Sequence, residues 1–479
     1  MKNSPGKKIA IIGGGIAGSS IALYLSELGL NVTLFETKES LVDGPPICHL
    51  HAGGNLYREI SDEQCLTLLR ESIELVQLYP CAVDFRPTVI AVPVDDKGQP
   101  GDLYNRLEKL KEEYARIVEK DMTKRVLGKV DDYYKFFDRE SVEFLKKKEP
   151  LENPLTFDEW MIPVAKNIDL DKVQFPLIIV QEYGLNIFRL AASVTLALDA
   201  ITNAEVLTNT QVLDINEEKN QYVISYQEKE MKTSRKYDYL INAAGFKSGE
   251  IDDMLEYKRE RFVEFKAAYV TQWKNDTVWP EMIFYGERGT PKGMAQFTPY
   301  ADGYVQLHGM TEDITLFEDG LVKSKDKSAQ PQLNKKYVDK IYKGWSKEDI
   351  DKRSSLAVKH LSQFIPSFLH ANIASKPLYG AQQIPGIDAS LRAADVSFEG
   401  STYARCEIVK ASSVFGMADA ITAKLIDLGF LQSTYLGSRN FDTLRVYTEE
   451  NITKLAQKLC IQRNYPKSLG LRKNTSLML

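Results

Sequence analysis

Four apolar residues, Ile9-Ala10-Ile11-Ile12, form the first clear element. After a run of glycines the pattern turns helical from Ala22 to Leu28, and returns to a strand, Val32-Thr33-Leu34-Phe35, that stops at Glu36. Short apolar runs bounded by glycine are the pattern of strands buried on both faces, as in a parallel sheet. Ser61 to Leu78 then carries Cys65, Leu68, Leu69, Ile73, Leu75 and Val76 at helical spacing, with Ser61 and Gln64 placed for a capping box. Val89 to Val94 predicts a strand, and Leu103 to Leu110 and Tyr114 to Val118 predict helix. Leu177 to Val180 is β-like, Phe188 to Ile201 is an amphipathic helix, and Glu205 to Thr208 restarts a strand. Two further strands, Gln211 to Ile215 and Gln221 to Tyr226, form a meander across a polar turn. Tyr237 to Asn242 is a strand ending in Ala243-Ala244-Gly245. Beyond it the chain becomes β-rich, with Phe262 to Gln272 and Gly303 to His308 clearest, before helical patterns at Asn334 to Ile365 and Met417 to Leu428.

This order predicts an α/β fold in which a Rossmann-type domain with a parallel sheet is interwoven with a β-rich α+β domain. The boundaries expected are 1–85, 173–255 and 375–479 for the first domain, and 86–172 and 256–374 for the second. The 479 residues suffice for two substantial cores.

Gly13-Gly14-Gly15-Ile16-Ala17-Gly18 sits between the first strand and the first helix and contains G-x-G-x-x-G. In such a unit Gly13 makes the tight turn, Gly15 lets the backbone approach a pyrophosphate, and Gly18 allows close packing of helix on sheet. The helix N-terminus then offers unpaired N–H groups and a positive dipole end to the phosphates. Glu36 falls where a carboxylate accepts hydrogen bonds from an adenosine ribose. A strand ending in small residues, as at Ala243-Ala244-Gly245, leaves room for a ligand at its carboxyl end.

Composition narrows the partners. A formal charge of −5 argues against nucleic acid. Five cysteines without metal-type spacing suit reduced thiols in a cytoplasmic compartment, and no metal site is expected. No apolar run approaches the roughly twenty residues needed to span a bilayer, which leaves peripheral contact as the one kind of membrane association expected.

The N-terminal unit, the Tyr239-Leu240-Ile241-Asn242-Ala243-Ala244-Gly245 segment and the glycine-containing loop after Glu36 together resemble the D-amino acid oxidase superfamily, which includes glycine and sarcosine oxidases and glycerol-3-phosphate dehydrogenases. The resemblance implies FAD as cofactor and oxidation of a C–N or C–O bond of a small amine, amino acid or 2-hydroxy acid by hydride transfer, with oxygen or quinone as electron acceptor. It carries ADP-binding roles to Gly13, Gly15, Gly18 and Glu36, with Ala17 inside the motif, and a flavin-side role to Ala243, Ala244 and Gly245. His51, Gly53 and Gly54 lie where the family runs a loop along the flavin; His51 is either a covalent anchor or a hydrogen-bonding neighbour. Gly416, ahead of the last helix, is the remaining glycine of a turn that faces the flavin pyrimidine. Alternatives left open are a flavin monooxygenase, an NAD-dependent dehydrogenase on the same motif, and a non-catalytic flavin-binding scaffold.

A hydride-transfer site must hold its substrate in place, and a carboxylate is held best by the planar guanidinium of arginine. Arg288 and Arg392 are the candidates. His308, at the end of an apparent strand, is placed to take a hydroxyl proton from a 2-hydroxy acid. Lys266 shares a strand face with Glu264 by alternation; it is either an exposed lysine paired with Glu264 or, as the resemblance implies, a counterpart to the lysine that promotes oxygen reactivity in sarcosine-type oxidases.

Overall fold

A computed structural model describes residues 6–46, 50, 53–54, 60–275, 277–394, 396–437 and 441–473. Its first sheet has six strands in the order Val396–Glu399, Tyr403–Cys406, Tyr239–Asn242, Lys8–Ile12, Asn31–Phe35 and Ala204–Leu207. All neighbours are parallel except the edge strand Val396–Glu399. The unbroken apolar runs follow from burial on both sides. Ile9 and Ile11 enter a core shared with helices Ile16–Glu27, Asp62–Leu78, Ile187–Asp199 and Val414–Asp427, whereas Ala10 and Ile12 meet Phe35, Tyr226 and Tyr237 on the other. Those tyrosines belong to an antiparallel meander of Thr210–Glu218, Gln221–Glu228 and Met231–Tyr237. Lys219 and Asn220 hold positive φ at its first turn, as a tight hairpin requires.

The second sheet is large and mostly antiparallel. Its path runs Leu321–Lys323, Arg261–Gln272, Tyr304–Gly309, Ala295–Pro299, Glu281–Phe284, Thr88–Pro93, Val173–Val180 and Tyr134–Phe137, and Leu378–Pro385 also pairs with Arg261–Gln272. Alternation sorts its two faces. Val263, Phe265, Ala267, Val305 and Leu307 pack under helices Phe157–Asn167, Lys335–Lys343 and Lys347–Ser362, which turns Glu264, Lys266, Gln306 and His308 to the opposite face.

Val173–Val180 departs from the expected division of the chain. The sequence pattern assigns it to the section of the first domain resuming at 173, but it pairs with Thr88–Pro93 and Tyr134–Phe137 in the large sheet. The first domain resumes with helix Ile187–Asp199. A short apolar run declares a buried strand without saying in which sheet. Leu378–Pro385, likewise placed in the first domain, lies along Arg261–Gln272. The two helical fragments expected between 103 and 118 are one helix, Tyr104–Lys120, and the single stretch 334–365 is two, parted at Gly344 with φ +93°. Ser61 does cap Asp62–Leu78 by accepting from the Gln64 amide, but the Gln64 side chain is used elsewhere.

Candidate active site

The glycine motif works in three different ways. Gly13 has φ +103°, and a Cβ there would sit 2.3 Å from the Ala243 carbonyl oxygen. A Cβ on Gly18 would lie 1.8 Å from the Gly13 oxygen. Both glycines therefore permit contacts of the turn with its neighbours. Gly15 is different: a Cβ there meets nothing within 4 Å, so its open side faces the cleft. Helix Ile16–Glu27 begins at Gly15 with no side-chain cap and no acid in its first turn, leaving its N–H groups and dipole available to an anion.

Glu36 accepts from the Gly14 amide at 2.6 Å and from the Lys38 amide at 2.7 Å. It lines a cleft of about 200 Å³ with Gly13, Gly15, Thr210, Val212 and Ala243-Ala244-Gly245. A second cavity of about 170 Å³ shares Gly15, Ala243, Gly245 and Ala381 with it, takes in Ile16 and Ala17, and reaches Gln382, Gln383, Lys410 and Ala411. The two form one groove from the Glu36 carboxylate to the edge of the large sheet. An elongated dinucleotide fits these features: a ribose-binding carboxylate, an uncapped helix N-terminus with free space beside it, and small residues opposite. Asn242 shapes that opposite wall. Its side chain donates to the Ser248 carbonyl and the Tyr403 hydroxyl, both at 2.8 Å, and accepts from the Ala244 amide at 3.2 Å.

The remaining cofactor candidates are placed less simply. Gly53, with φ +102°, packs on the Cys65 carbonyl, and the Gly54 amide donates to the buried Glu182 carboxylate. Gly416 lies within the first turn of Val414–Asp427, beside Glu71, whereas Lys410 and Ala411 are the residues of that segment that line the groove. His51 lies outside the described residues, as do Cys48 and His49. Among the described residues no group of His, Cys, Asp and Glu is arranged to hold a metal ion.

Three of the four catalytic candidates come together around Glu264. Lys266 approaches its carboxylate at 2.9 Å and Arg288 bonds to the other oxygen. The charge of Arg392 acts on both Glu264 and Lys266. Burial alone would raise the Glu264 carboxyl, but Lys266 and then Arg288 outweigh it and hold it below the usual glutamate range. Burial depresses the Lys266 ammonium, and the two arginines add to this against the opposition of Glu264. Gln382, at the end of the groove, is the cross-strand partner of Glu264, and Gly380 that of Lys266. The cationic cluster therefore adjoins the groove. Arg392 is set by Gln64, whose side-chain oxygen accepts from the Arg392 and Ala393 amides at 3.0 and 3.2 Å. That role of Gln64 went unforeseen, because it joins residues more than three hundred positions apart.

His308 stands on the neighbouring strand, on the same sheet face as Lys266. Its Nε2 is 2.9 Å from the Gln306 amide nitrogen, and Gln306 Oε1 accepts from the Tyr300 hydroxyl at 2.9 Å. His308 Nδ1 is buried with no hydrogen-bond partner among the described residues. The sequence signal for Gln306 is its place two positions before His308, a polar residue in an otherwise apolar strand.

Comparison with known proteins agrees with this geometry. The family model described as FAD dependent oxidoreductase matches residues 8–138. No curated protein matches the chain. Among solved structures, glycine oxidase from Geobacillus kaustophilus superposes with a TM-score of 0.55 at 10% identity, over 91% of this chain and 99% of its own. L-amino acid deaminase from Proteus vulgaris gives 0.57 at 12% identity, over 90% and 99%. Glycerol-3-phosphate dehydrogenase from Bacillus halodurans, complexed with FAD, gives 0.56 at 13% identity, over 97% of this chain and 74% of its own.

Proposed function

We propose that this chain, whose residues 8–138 match the family model described as FAD dependent oxidoreductase, is an enzyme that oxidises a small carboxylate-bearing amine, amino acid or 2-hydroxy acid. The observation that carries this reading is the partly buried cluster of Lys266, Arg288 and Arg392 around the Glu264 carboxylate, beside the end of the groove. Positive charge gathered at Glu264 favours an anionic guest, and a planar guanidinium meets both oxygens of a carboxylate.

In this reading Gly13, Gly15 and Gly18 and the first helix hold the pyrophosphate of FAD, Glu36 its ribose, and Ala243-Ala244-Gly245 the opposite wall. FAD supplies the hydride acceptor. The chain's own residues bind and orient: Arg288 and Arg392 take the substrate carboxylate, Lys266 adds positive charge beside it, and Glu264 fixes the lysine. Fixing the donor carbon in one pose supplies much of what such a step needs from a protein. Oxygen or quinone then receives the electrons.

Anaerobic incubation of the purified yellow protein with D- and L-amino acids, N-methylated amino acids and 2-hydroxy acids tests the reading. Bleaching of the flavin by one of them without added NADPH is the expected result. Bleaching that requires NADPH supports a monooxygenase, and a flavin that no donor reduces supports a scaffold.

A further inference from the structure

The segment that follows Glu36 forms one wall of the groove. Asp43, Gly44 and Pro45 line the cavity at Glu36, and Val42, Gly44, Pro45 and Pro46 line the second one. The wall is seated on the glycine motif: the Leu41 side chain lies 2.6 Å from where a Cβ on Gly14 would stand, and the Val42 amide donates to the Gly14 carbonyl at 2.8 Å. In this pose Val42 has φ +53°. The left-handed region crowds Cβ against the following carbonyl oxygen, and disfavours a β-branched residue about tenfold. Something else must hold it there.

The hold comes from Arg463, which ends the helix Glu449–Gln462 more than four hundred positions away. Its buried guanidinium donates from Nε to the Ser40 hydroxyl at 3.1 Å, from Nη1 to the Val42 carbonyl at 3.1 Å and from Nη2 to the Leu41 carbonyl at 2.6 Å. The Asp43 carboxylate, 3.9 Å from Nη1, is also paired with Lys38. The arginine is itself anchored. Ile452, Ala456, Leu459 and Cys460 of its helix enter the core of the first domain. Two residues on, the Tyr465 hydroxyl donates to the Pro377 carbonyl, just ahead of the strand Leu378–Pro385 that forms the facing wall. A Cβ on Gly380 of that strand would stand 2.7 Å from the Pro45 nitrogen, so the two walls touch.

We infer that Arg463 is a positioning residue for FAD, whose fork keeps Val42 in the left-handed conformation and thereby keeps the wall from Val42 to Pro46 in the shape the cofactor meets. The inference rests on the FAD-binding role of the groove. A planar fork meets three acceptors at once, which an ammonium on a flexible stem does not. Once the fork is lost, the wall is competent for only a fraction of the time, and the apparent FAD affinity falls by that fraction. Glycine enters the left-handed region freely, so at position 42 it should make the arginine dispensable.

Titration of FAD into the full-length apoprotein by fluorescence quenching tests this with the parent, Arg463→Lys, Val42→Gly and the double variant. Arg463→Lys should raise Kd about tenfold in the parent, and no more than about threefold in the Val42→Gly background. An arginine that serves only the fold loses the same factor in both backgrounds, and that result overturns the inference, as does Arg463→Lys binding FAD like the parent. If Arg463→Lys does not fold, Ser40→Ala takes its place, removing only the acceptor of Nε: a loss of about threefold in the parent should vanish in the Val42→Gly background, and equal losses overturn the inference. A parent apoprotein that takes up no FAD sinks the reading of the groove instead.

Discussion

Gly15 and Gly18 stand three positions apart in one motif, yet substitution by alanine should damage different properties. At Gly18 a methyl group falls 1.8 Å from the Gly13 oxygen and 3.1 Å from the Ala243 side chain, so the first helix must move away from the turn. Overpacking of this kind costs about 1–3 kcal/mol and lowers Tm by several degrees. At Gly15 φ is −64° with an extended ψ, which any residue adopts, and no atom lies within 4 Å of the new methyl. The smaller unfolded-state entropy of alanine and its poorer quality as an N-cap nearly cancel, so stability should change by no more than about 0.5 kcal/mol. The methyl does enter the open side of Gly15, from which, in the proposed function, the diphosphate reaches the helix N-terminus. Loss of one charge-assisted hydrogen bond there, about 1.5–3 kcal/mol, weakens FAD binding roughly ten- to a hundredfold. Thermal melts of the apoprotein and titration of FAD by fluorescence quenching separate the two effects. The reasoning is refuted if Gly15→Ala melts as low as Gly18→Ala, or binds FAD as tightly as the parent.

Three further outcomes follow from particular contacts. Asp252 is fully buried and accepts from Arg405 at 2.6 Å, Tyr403 at 2.7 Å and Arg261 at 2.5 Å, joining the two sheets. Asp252→Asn leaves two buried guanidinium groups short of a counter-charge and should cost about 3 kcal/mol in urea unfolding; a loss below about 1 kcal/mol contradicts a structural role for the ion cluster. Glu264 has a folded pKa below its unfolded value of 4.5, so it contributes stability that is complete above the unfolded value and disappears as pH falls through the folded one. Urea midpoints measured from about pH 6 down to pH 3 should therefore fall less steeply for Glu264→Gln than for the parent, and parallel curves would count against the ion pairs. For His51 the two readings divide on acid precipitation: colour retained in the pellet means covalent attachment, and colour wholly in the supernatant means none.

What could be read from the chain was local. The first βαβ unit spans fewer than thirty residues, and its strand, glycines, helix and acid are adjacent in sequence, so pattern and structure coincide. Alternation placed Lys266 with Glu264 for the same reason. It did not say which sheet face is turned toward the groove, because that depends on pairing with Tyr304–Gly309 and Leu378–Pro385 far along the chain. Val173–Val180 went to the wrong sheet because its apolar run suits either one. Gln64 acts through an arginine-bearing loop more than three hundred positions away, which its place beside Ser61 does not announce, whereas Gln306 acts through Tyr300 and His308, close to it in sequence. Arg288 and Arg392 were chosen for the chemistry of guanidinium, and only the folded chain shows that they share Glu264 with Lys266.

The central claim is that FAD bound in the glycine-lined groove is reduced directly by a carboxylate-bearing amine held at the cationic cluster. Anaerobic titration of the purified holoprotein, parent and Arg288→Met side by side, measures this most directly. The account predicts bleaching of the parent by an amino acid, and a substrate concentration for half-maximal reduction at least tenfold higher in the variant with its FAD content unchanged. Protein that takes up no FAD, or a variant that is reduced at the same substrate concentrations as the parent, would contradict it.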